Sequence, residues 1–107
     1  MKYMTKELER KFPEWMSTDG LPHDQIVVQA HFFSPYSNWD WYAWEYDAEC
    51  SQFFGLVFGF KVEAGYFNVQ EFEEAKKGSL PLVERDLWWK PVPLNQLPRY
   101  HEWACAE

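Results

Sequence analysis

Apolar and aromatic residues dominate the middle of the chain, and their spacing predicts a β-sheet. Residues 26–33 are mostly β-branched or aromatic and predict a first strand. Residues 39–47 carry rings on both alternating faces, which predicts a second strand that is covered on both sides at its start. Residues 53–60 predict a third strand, and residues 61–67 predict a short strand or a bend near Gly65. Short connections between consecutive strands favour an antiparallel sheet.

Two helices are predicted beside these strands. Residues 5–12 have an N-cap at Thr5 and an apolar pair one turn apart, and residues 68–78 begin with an Asn N-cap and end at a Gly. A last strand is predicted over residues 82–90, and residues 98–107 form either a short helix or a loosely attached tail. The expected fold is one α+β domain over all 107 residues. Its antiparallel sheet has four to five strands, with the N-terminal helix and the later helix packed on it.

On the third strand, one face carries Phe54, Leu56, Phe58 and Phe60, and the other carries Phe53, Gly55, Val57 and Gly59. Glycines at alternate positions leave a flat strip on which large rings of a neighbouring strand can lie. We expect Trp39 and Trp41 to fill that strip. The side chains predicted to build the core are Val28, Trp39, Trp41, Phe54, Leu56, Phe58 and Leu87.

The aromatic content is high, since seven Trp, six Tyr and nine Phe make up 21% of the chain. A domain of this size cannot bury so many large rings completely, so some of them must lie at the surface. Exposed Trp and Tyr next to carboxylates can stack on a ligand or anchor a protein interface. The rings from which the exposed ones are expected belong to Trp15, Tyr36, Tyr42, Trp44, Tyr46, Trp88, Trp89 and Trp103.

The net charge of −7 is concentrated in one part of the chain. No Lys or Arg occurs between Lys11 and Lys61, a stretch that holds Glu14, Asp19, Asp24, Asp40, Glu45, Asp47 and Glu49. Phosphate backbones and anionic membranes are bound by clustered cations, so this balance argues against nucleic acid and against a membrane as direct partners. No apolar run is long enough to span a bilayer, and the N-terminal residues hold no apolar signal core. A cytoplasmic location is therefore expected, with Cys50 and Cys105 as reduced thiols.

Three segments in order carry a resemblance to a known family. They are SNWDWYAWEYD at 37–47, FFGLVFGFKVEAGYF at 53–67 and LPLVERDL at 80–87. Together they resemble a family of small bacterial proteins catalogued as a domain of unknown function, whose members are often encoded on plasmids, prophages and other mobile elements. That family has no established catalytic residues, so the resemblance implies a biological setting and no mechanism.

Candidate catalytic and metal-binding residues are few. Glu45, Asp47 and Glu84 could act as general acid and base in a hydrolase-like enzyme or line a small-ligand site, and the alternative interpretation is a solvated sheet edge. The chain has no phosphate-binding loop, nucleophile elbow or zinc-protease motif. The available soft ligands are His23, His31, His101, Cys50 and Cys105. They lack the spacing of a zinc site, so we expect no metal and no cofactor.

Charge and rings coincide at the end of the second strand, which predicts a protein-binding face. Spaced carboxylates can resemble DNA to an enzyme that has a basic groove. We therefore expect a non-catalytic module of a mobile element that binds a host protein and inhibits a host defence or nucleic-acid-binding protein. A homo-oligomer that associates through its exposed rings is another interpretation. The residues predicted to form the face are Tyr42, Trp44, Glu45, Tyr46, Asp47 and Glu49, followed by Trp88 and Trp89.

Overall fold

The computed structural model describes residues 2–105. Its helices and strands are α1 (Lys6–Glu9), β1 (Val27–Val28), β2 (Ala30–Phe33), β3 (Asp40–Asp47), β4 (Gln52–Phe58), β5 (Val62–Asn68), α2 (Val69–Glu74), β6 (Lys76–Lys77), β7 (Leu80–Pro81), β8 (Glu84–Arg85), β9 (Val92–Pro93) and α3 (Tyr100–Ala104). Short 3-10 turns span His23–Gln25 and Leu94–Gln96. Among residues 2–105, no helix is long and apolar enough to cross a membrane.

The centre of the fold is a five-stranded antiparallel sheet in the order β5-β4-β3-β2-β8. Two short antiparallel pairs, β1 with β9 and β6 with β7, lie beside it. The prediction of an α+β fold with an antiparallel sheet is confirmed, and β3, the most aromatic strand, is the central one.

The predicted helix N-caps are present, and both helices are shorter than predicted. The hydroxyl of Thr5 accepts a hydrogen bond from the amide of Leu8 at 3.1 Å, which begins α1. The carboxamide of Asn68 accepts from the amide of Glu71 and donates to its carboxylate, both at 2.8 Å, which begins α2. The second helix ends early because β6 and β7 form a hairpin, and Gly78 has the positive φ of 65° that this tight turn requires.

The predicted last strand, residues 82–90, is reduced to Glu84–Arg85, which pairs with the end of β2. The chain turns away immediately after this pair, because the carboxylate of Asp86 accepts a hydrogen bond from the amide of Trp88 at 3.0 Å. Leu87 therefore lies in an exposed turn, and its assignment to the core is wrong.

The sheet packs apolar side chains on both of its faces. One face, covered by α1 and α2, buries Tyr3, Leu8, Ala30, Phe32, Ala43, Tyr46, Phe53, Phe67, Phe72 and Val83. The other, covered by the two 3-10 turns and α3, buries Ile26, Val28, Tyr42, Trp44, Leu56, Phe58, Leu94, Leu97 and Trp103. Because α3 contributes Trp103 to this second core, residues 100–104 are anchored by packing.

Gly55 in β4 and Gly59 just after it each have a close neighbour, Tyr42 in β3 and Trp39 just before β3. A side-chain carbon at Gly59 would come within 2.6 Å of the Trp39 ring, so the expected packing of Trp39 on the glycine strip is confirmed. A side-chain carbon at Gly55 would collide with the backbone carbonyl of Tyr42. Trp41 instead packs edge-on against Phe72, at a ring-centroid distance of 5.2 Å.

A β-bulge in β3 changes which face its last side chains occupy. Ala43 pairs with Gly55 and Glu45 pairs with Phe54, so Trp44 is an extra residue in the ladder. Trp44 and Glu45 consequently lie toward the second core, and Tyr46 joins the first core with Ala43. Simple alternation, as predicted for residues 39–47, would have placed Trp44 and Tyr46 on one face.

Candidate functional site

Half of the eight residues predicted for the protein-binding face lie inside the molecule. Tyr42, Trp44, Glu45 and Tyr46 expose only 5%, 3%, 4% and 8% of their surface, so the prediction that they are exposed is wrong. The physical reason is the position of β3. A central strand with cores on both faces has no free face to present, and the bulge divides its rings between the two cores.

The remaining predicted residues do not form one surface. Asp47 is half-buried and Glu49 is exposed in the turn after β3, where the Asp47 carboxylate accepts from the Glu49 amide at 3.0 Å. Trp88 is 90% exposed, whereas Trp89 is half-buried and its indole donates to the carbonyl of Val28 at 3.0 Å. The two exposed positions, at residues 49 and 88, thus belong to different parts of the surface.

A cavity of about 460 Å³ lies between the sheet and the loop of residues 13–22. We call it the aromatic cavity, and its lining residues are Trp15, Met16, Thr18, Asp19, Gly20, Leu21, His23, Ile26, Trp44, Glu45, Phe54, Ala64, Tyr66, Leu94 and Trp103. A volume of this size is within the range of small-molecule sites in proteins.

A chain of touching rings forms one wall of the aromatic cavity. Trp15 contacts Tyr66 with a ring-centroid distance of 6.0 Å, Tyr66 contacts Phe54 at 5.0 Å, and Phe54 meets Trp44 edge-on at 5.6 Å. The strands β3, β4 and β5 each contribute a ring, and the loop contributes Trp15. The sheet register therefore fixes the positions of three of the four rings.

The opposite wall contains His23 and the last helix. The His23 ring lies 5.0 Å from the Trp103 ring, and its Nδ1 atom is 2.7 Å from the hydroxyl of Tyr100. Packing of α3 against the 3-10 turn at His23–Gln25 therefore closes this side of the cavity.

Glu45 is the polar centre of the aromatic cavity. Its carboxylate accepts hydrogen bonds from the amide of Met16 at 2.6 Å, from the amide of Thr18 at 3.0 Å and from the Thr18 hydroxyl. Met16 adopts a positive φ of 70°, which a non-glycine residue holds only when its surroundings compensate. The carboxylate thus ties the loop of residues 13–22 to the sheet, across 27 positions of sequence in the case of Thr18.

The charge of Glu45 has hydrogen-bond donors but no cationic neighbour. The cavity lining contains two carboxylates, Glu45 and Asp19, and no Lys or Arg. Within residues 2–105, no ion pair includes Glu45. Backbone and hydroxyl donors supply partial charges only, so the cavity has a negative potential in surroundings of low polarity.

A second polar group, which we call the histidine cluster, consists of His31, Asp40 and Asp86. The Nε2 atom of His31 lies 2.7 Å from Asp40 Oδ1, and its Nδ1 atom lies 2.9 Å from Asp86 Oδ2. The ring stacks on Tyr42 at a centroid distance of 4.6 Å, and Arg99 approaches Asp40 at 3.6 Å. The three side chains line an open depression of about 410 Å³.

The environment of the histidine cluster favours a charged imidazole. Burial lowers the pKa of His31, but hydrogen bonds to Asp40 and Asp86 and the charges of these carboxylates outweigh burial, and the net pKa is raised. Burial and the nearby Asp40 raise the pKa of Tyr42 to about 12. With carboxylates on both ring nitrogens, His31 has no free nitrogen with which to accept a substrate proton.

The carboxylates proposed from the sequence for acid–base chemistry do not converge. Glu45 lies in the lining of the aromatic cavity, and Asp47 is the last residue of β3. Glu84 pairs with Phe33, which in turn pairs with Asp40 at the opposite end of β3. Residues 40 and 45 are separated by about 16 Å along the strand. The expectation that these acids share a site is wrong.

Thiols and imidazoles are also dispersed. In the described part of the chain, no three His, Cys, Asp or Glu side chains are grouped so as to hold a metal ion. Cys50 and Cys105 are exposed free thiols, and the charge of Asp47 is the main cause of a raised pKa at Cys50. A raised thiol pKa reduces the thiolate available as nucleophile or metal ligand at neutral pH.

Two features of the site were missed by sequence reasoning. No element was predicted between residues 13 and 25, although Trp15 in that stretch is a ring that needs a partner. Asp40 stands between two Trp residues in a strand, and a charged residue in such a run indicates a buried polar partner. That partner, His31, could have been proposed from the antiparallel pairing of the first two strands.

No family model, curated protein or solved structure matches this chain.

Proposed function

We propose that this protein is a non-catalytic binding protein that holds a small ligand in the aromatic cavity. The observation that carries the proposal is the cavity of about 460 Å³, walled by rings and containing the buried carboxylate of Glu45. A concave apolar site with a small number of fixed polar groups is the usual form of a small-molecule site.

Binding suits this geometry better than catalysis does. The carboxylate of Glu45 is held by donors from Met16 and Thr18, and Nδ1 of His23 is engaged with Tyr100. The lining places the Thr18 hydroxyl within hydrogen-bonding distance of the Glu45 carboxylate, but Thr18 is only 8% exposed and this contact fastens the loop to the sheet. The groups present can orient a ligand and exclude water from it.

A cavity-filling variant tests the proposal. Ala64 lines the cavity from β5, whereas the neighbouring Glu63 does not, because adjacent strand residues point to opposite faces. Ala64→Trp should abolish ligand binding, and the matched Glu63→Trp variant should bind like the parent protein. Binding of choline, 3,3-dimethylbutan-1-ol, benzyltrimethylammonium and indole would be followed by NMR shifts of the Trp indole protons. If none of these probes binds the parent protein, or if Ala64→Trp binds equally well, the proposal fails.

Protein binding is the second candidate function, and one observation favours it. Trp88 and Leu87 expose 90% and 64% of their surface in the turn after β8. A large exposed ring beside an exposed Leu is typical of an anchor in a protein interface. Of the residues predicted for a host-protein interface, Trp88 and Glu49 are exposed. The mobile-element setting and the host partner stay predictions.

A pair of variants tests this second candidate. Capture of a partner from a bacterial lysate should be lost with Trp88→Ala and retained with Phe60→Ala, since Phe60 is 95% exposed but lies in another turn. If the parent protein still captures the partner at high salt and Trp88→Ala does not, the anchor is apolar. If capture by the parent protein is lost at high salt and on substitution of Glu49, an acidic surface that mimics nucleic acid is favoured. Equal capture by both variants would exclude Trp88 as the anchor.

A further inference from the structure

We infer that the ligand of the aromatic cavity is an organic cation of the quaternary ammonium class. The inference rests on the proposed binding function and specifies its ligand chemistry. Three observations carry it: the uncompensated charge of Glu45, the ring wall, and the hydrogen bonds that already occupy the Glu45 carboxylate.

The first observation is electrostatic. Glu45 is 96% buried, since only 4% of its surface is exposed, and no Lys, Arg or His forms an ion pair with it in the described residues. Burying a carboxylate without an opposite charge is costly, and a cation bound in the cavity would recover part of that cost. Asp19 adds a second negative charge to the lining, so an anionic ligand would be repelled.

The second observation is the chemistry of the walls. Trp15, Trp44, Phe54 and Tyr66 form a continuous series of contacting rings, and Trp103 lies in the opposite wall. The faces of aromatic rings carry partial negative charge, and they bind cations that have an apolar surface. A neutral apolar ligand would gain contact with the rings but nothing from Glu45 or Asp19.

The third observation separates quaternary from primary ammonium groups. A primary ammonium has three N–H donors, and each needs an acceptor when it leaves water. The Glu45 carboxylate already accepts from Met16 and from both donors of Thr18, so it has little capacity left. A quaternary ammonium has no N–H group, and it needs only the negative potential and the rings.

The test compares four probes, three of which carry a trimethylated head group. Choline carries the quaternary cation, 3,3-dimethylbutan-1-ol is its uncharged isostere, 3,3-dimethylbutanoate is an anion, and ethanolamine is a primary ammonium. We expect choline to bind about tenfold more tightly than its uncharged isostere, and the other two to bind more weakly still, as measured by NMR titration. Benzyltrimethylammonium, which fills more of the cavity, should bind more tightly than choline.

A matched pair of variants checks the role of the rings. Tyr66 lines the cavity and is 60% exposed, and Tyr36 is 57% exposed but lies outside the lining. Tyr66→Leu should weaken choline binding about fivefold and leave the uncharged isostere nearly unaffected, because only the cation uses the ring electrostatics. Tyr36→Leu should change neither. Asp19→Asn, at an exposed position of the lining, should weaken choline binding without disturbing the loop contacts of Glu45.

The outcomes distinguish the inference from the proposed function. If the uncharged isostere binds as tightly as choline and Ala64→Trp abolishes both, the cavity is a ligand site and the quaternary ammonium inference is wrong. If ethanolamine binds as tightly as choline, the preference for a quaternary group is wrong. If no probe binds the parent protein, both the inference and the proposed function fall.

Discussion

Two polar groups lie under the same face of the sheet, and they handle buried charge in opposite ways. In the histidine cluster, His31 lies between Asp40 and Asp86, which raise its pKa, so its protonated form has an opposite charge beside each ring nitrogen. In the aromatic cavity, Glu45 accepts hydrogen bonds from neutral donors, and among residues 2–105 it has no ion-pair partner. The charges of the histidine cluster compensate one another without a ligand. In the aromatic cavity, a bound cation could supply the opposite charge that Glu45 lacks.

The two groups also differ in what they join. The histidine cluster connects β2, the start of β3 and the turn after β8, all of which belong to the sheet or its edge. Glu45 connects the sheet to the loop of residues 13–22 through the amides of Met16 and Thr18. We therefore expect the cluster to contribute mainly to stability, and Glu45 to contribute both to stability and to the shape of the site.

The largest expected effect comes from removing the cation of the histidine cluster. His31→Phe keeps a ring to stack on Tyr42 but leaves Asp40 and Asp86 facing each other without a positive charge. We expect a loss of about 3 kcal/mol in the free energy of unfolding, measured by urea denaturation at pH 6. The triple variant with Asp40→Asn and Asp86→Asn should recover much of that loss. A loss below about 1 kcal/mol in His31→Phe would show that the charges of His31, Asp40 and Asp86 do not stabilise one another as described.

The next effect is expected at the open carboxylate. Glu45→Gln preserves size, but its amide group cannot accept every hydrogen bond that the carboxylate accepts from Met16 and Thr18. We expect a loss of about 2 kcal/mol in the free energy of unfolding. Glu49→Gln, at an exposed position in the following turn, is the matched control and should change stability by less than about 0.5 kcal/mol. Equal effects of the two variants would mean that Glu45 does not fix the loop.

A smaller, pH-dependent effect distinguishes the two groups further. The pKa of His31 is raised in the folded protein by Asp40 and Asp86, against the opposing effect of burial. The folded state then binds a proton more tightly than the unfolded state, for which the His pKa is about 6.5. The stabilisation is complete below that value and is lost as the pH rises through the folded pKa.

Urea denaturation of the parent protein and of His31→Phe between pH 5 and pH 9 checks this sign. The difference in unfolding free energy between them should be largest near pH 5 to 6 and should shrink as the pH rises. A difference that grows toward pH 9 would contradict the cationic assignment. Glu45→Gln should show no such decline over the same range, because no imidazole faces Glu45 at hydrogen-bonding distance.

Features that depend on neighbouring positions were predicted from the sequence. The N-caps Thr5 and Asn68 act on amides three residues away, and Trp39 packs on Gly59 because the two strands are joined by a short turn. The α+β fold followed from the alternation of rings and from the short connections. These signals are local, and tertiary packing did not override them.

The site could not be predicted, because it depends on contacts that are distant in sequence. The bulge at Trp44 reverses the face of Tyr46, and it lies next to the close approach of Gly55 to the backbone of Tyr42. The contact between Glu45 and Thr18 joins a strand to a loop whose polar sequence gave no sign of a partner. Because of the one extra residue in β3, side chains that were predicted to share a surface are divided between the two cores.

The smallest effect on stability is expected at the one predicted partner-binding ring that is almost fully exposed. Trp88→Ser should change the free energy of unfolding by less than about 0.5 kcal/mol, since 90% of Trp88 is exposed and little packing is lost. Trp103→Ser removes a Trp ring that is only 8% exposed. It should lower the free energy of unfolding by about 3 kcal/mol and should also weaken choline binding. Urea denaturation and NMR titration of the two variants test whether the Trp88 ring is needed for the fold or for choline binding. A ring needed for neither is available to a partner. A stability loss above about 1 kcal/mol in Trp88→Ser would show that this ring serves the fold and would weaken the second candidate function.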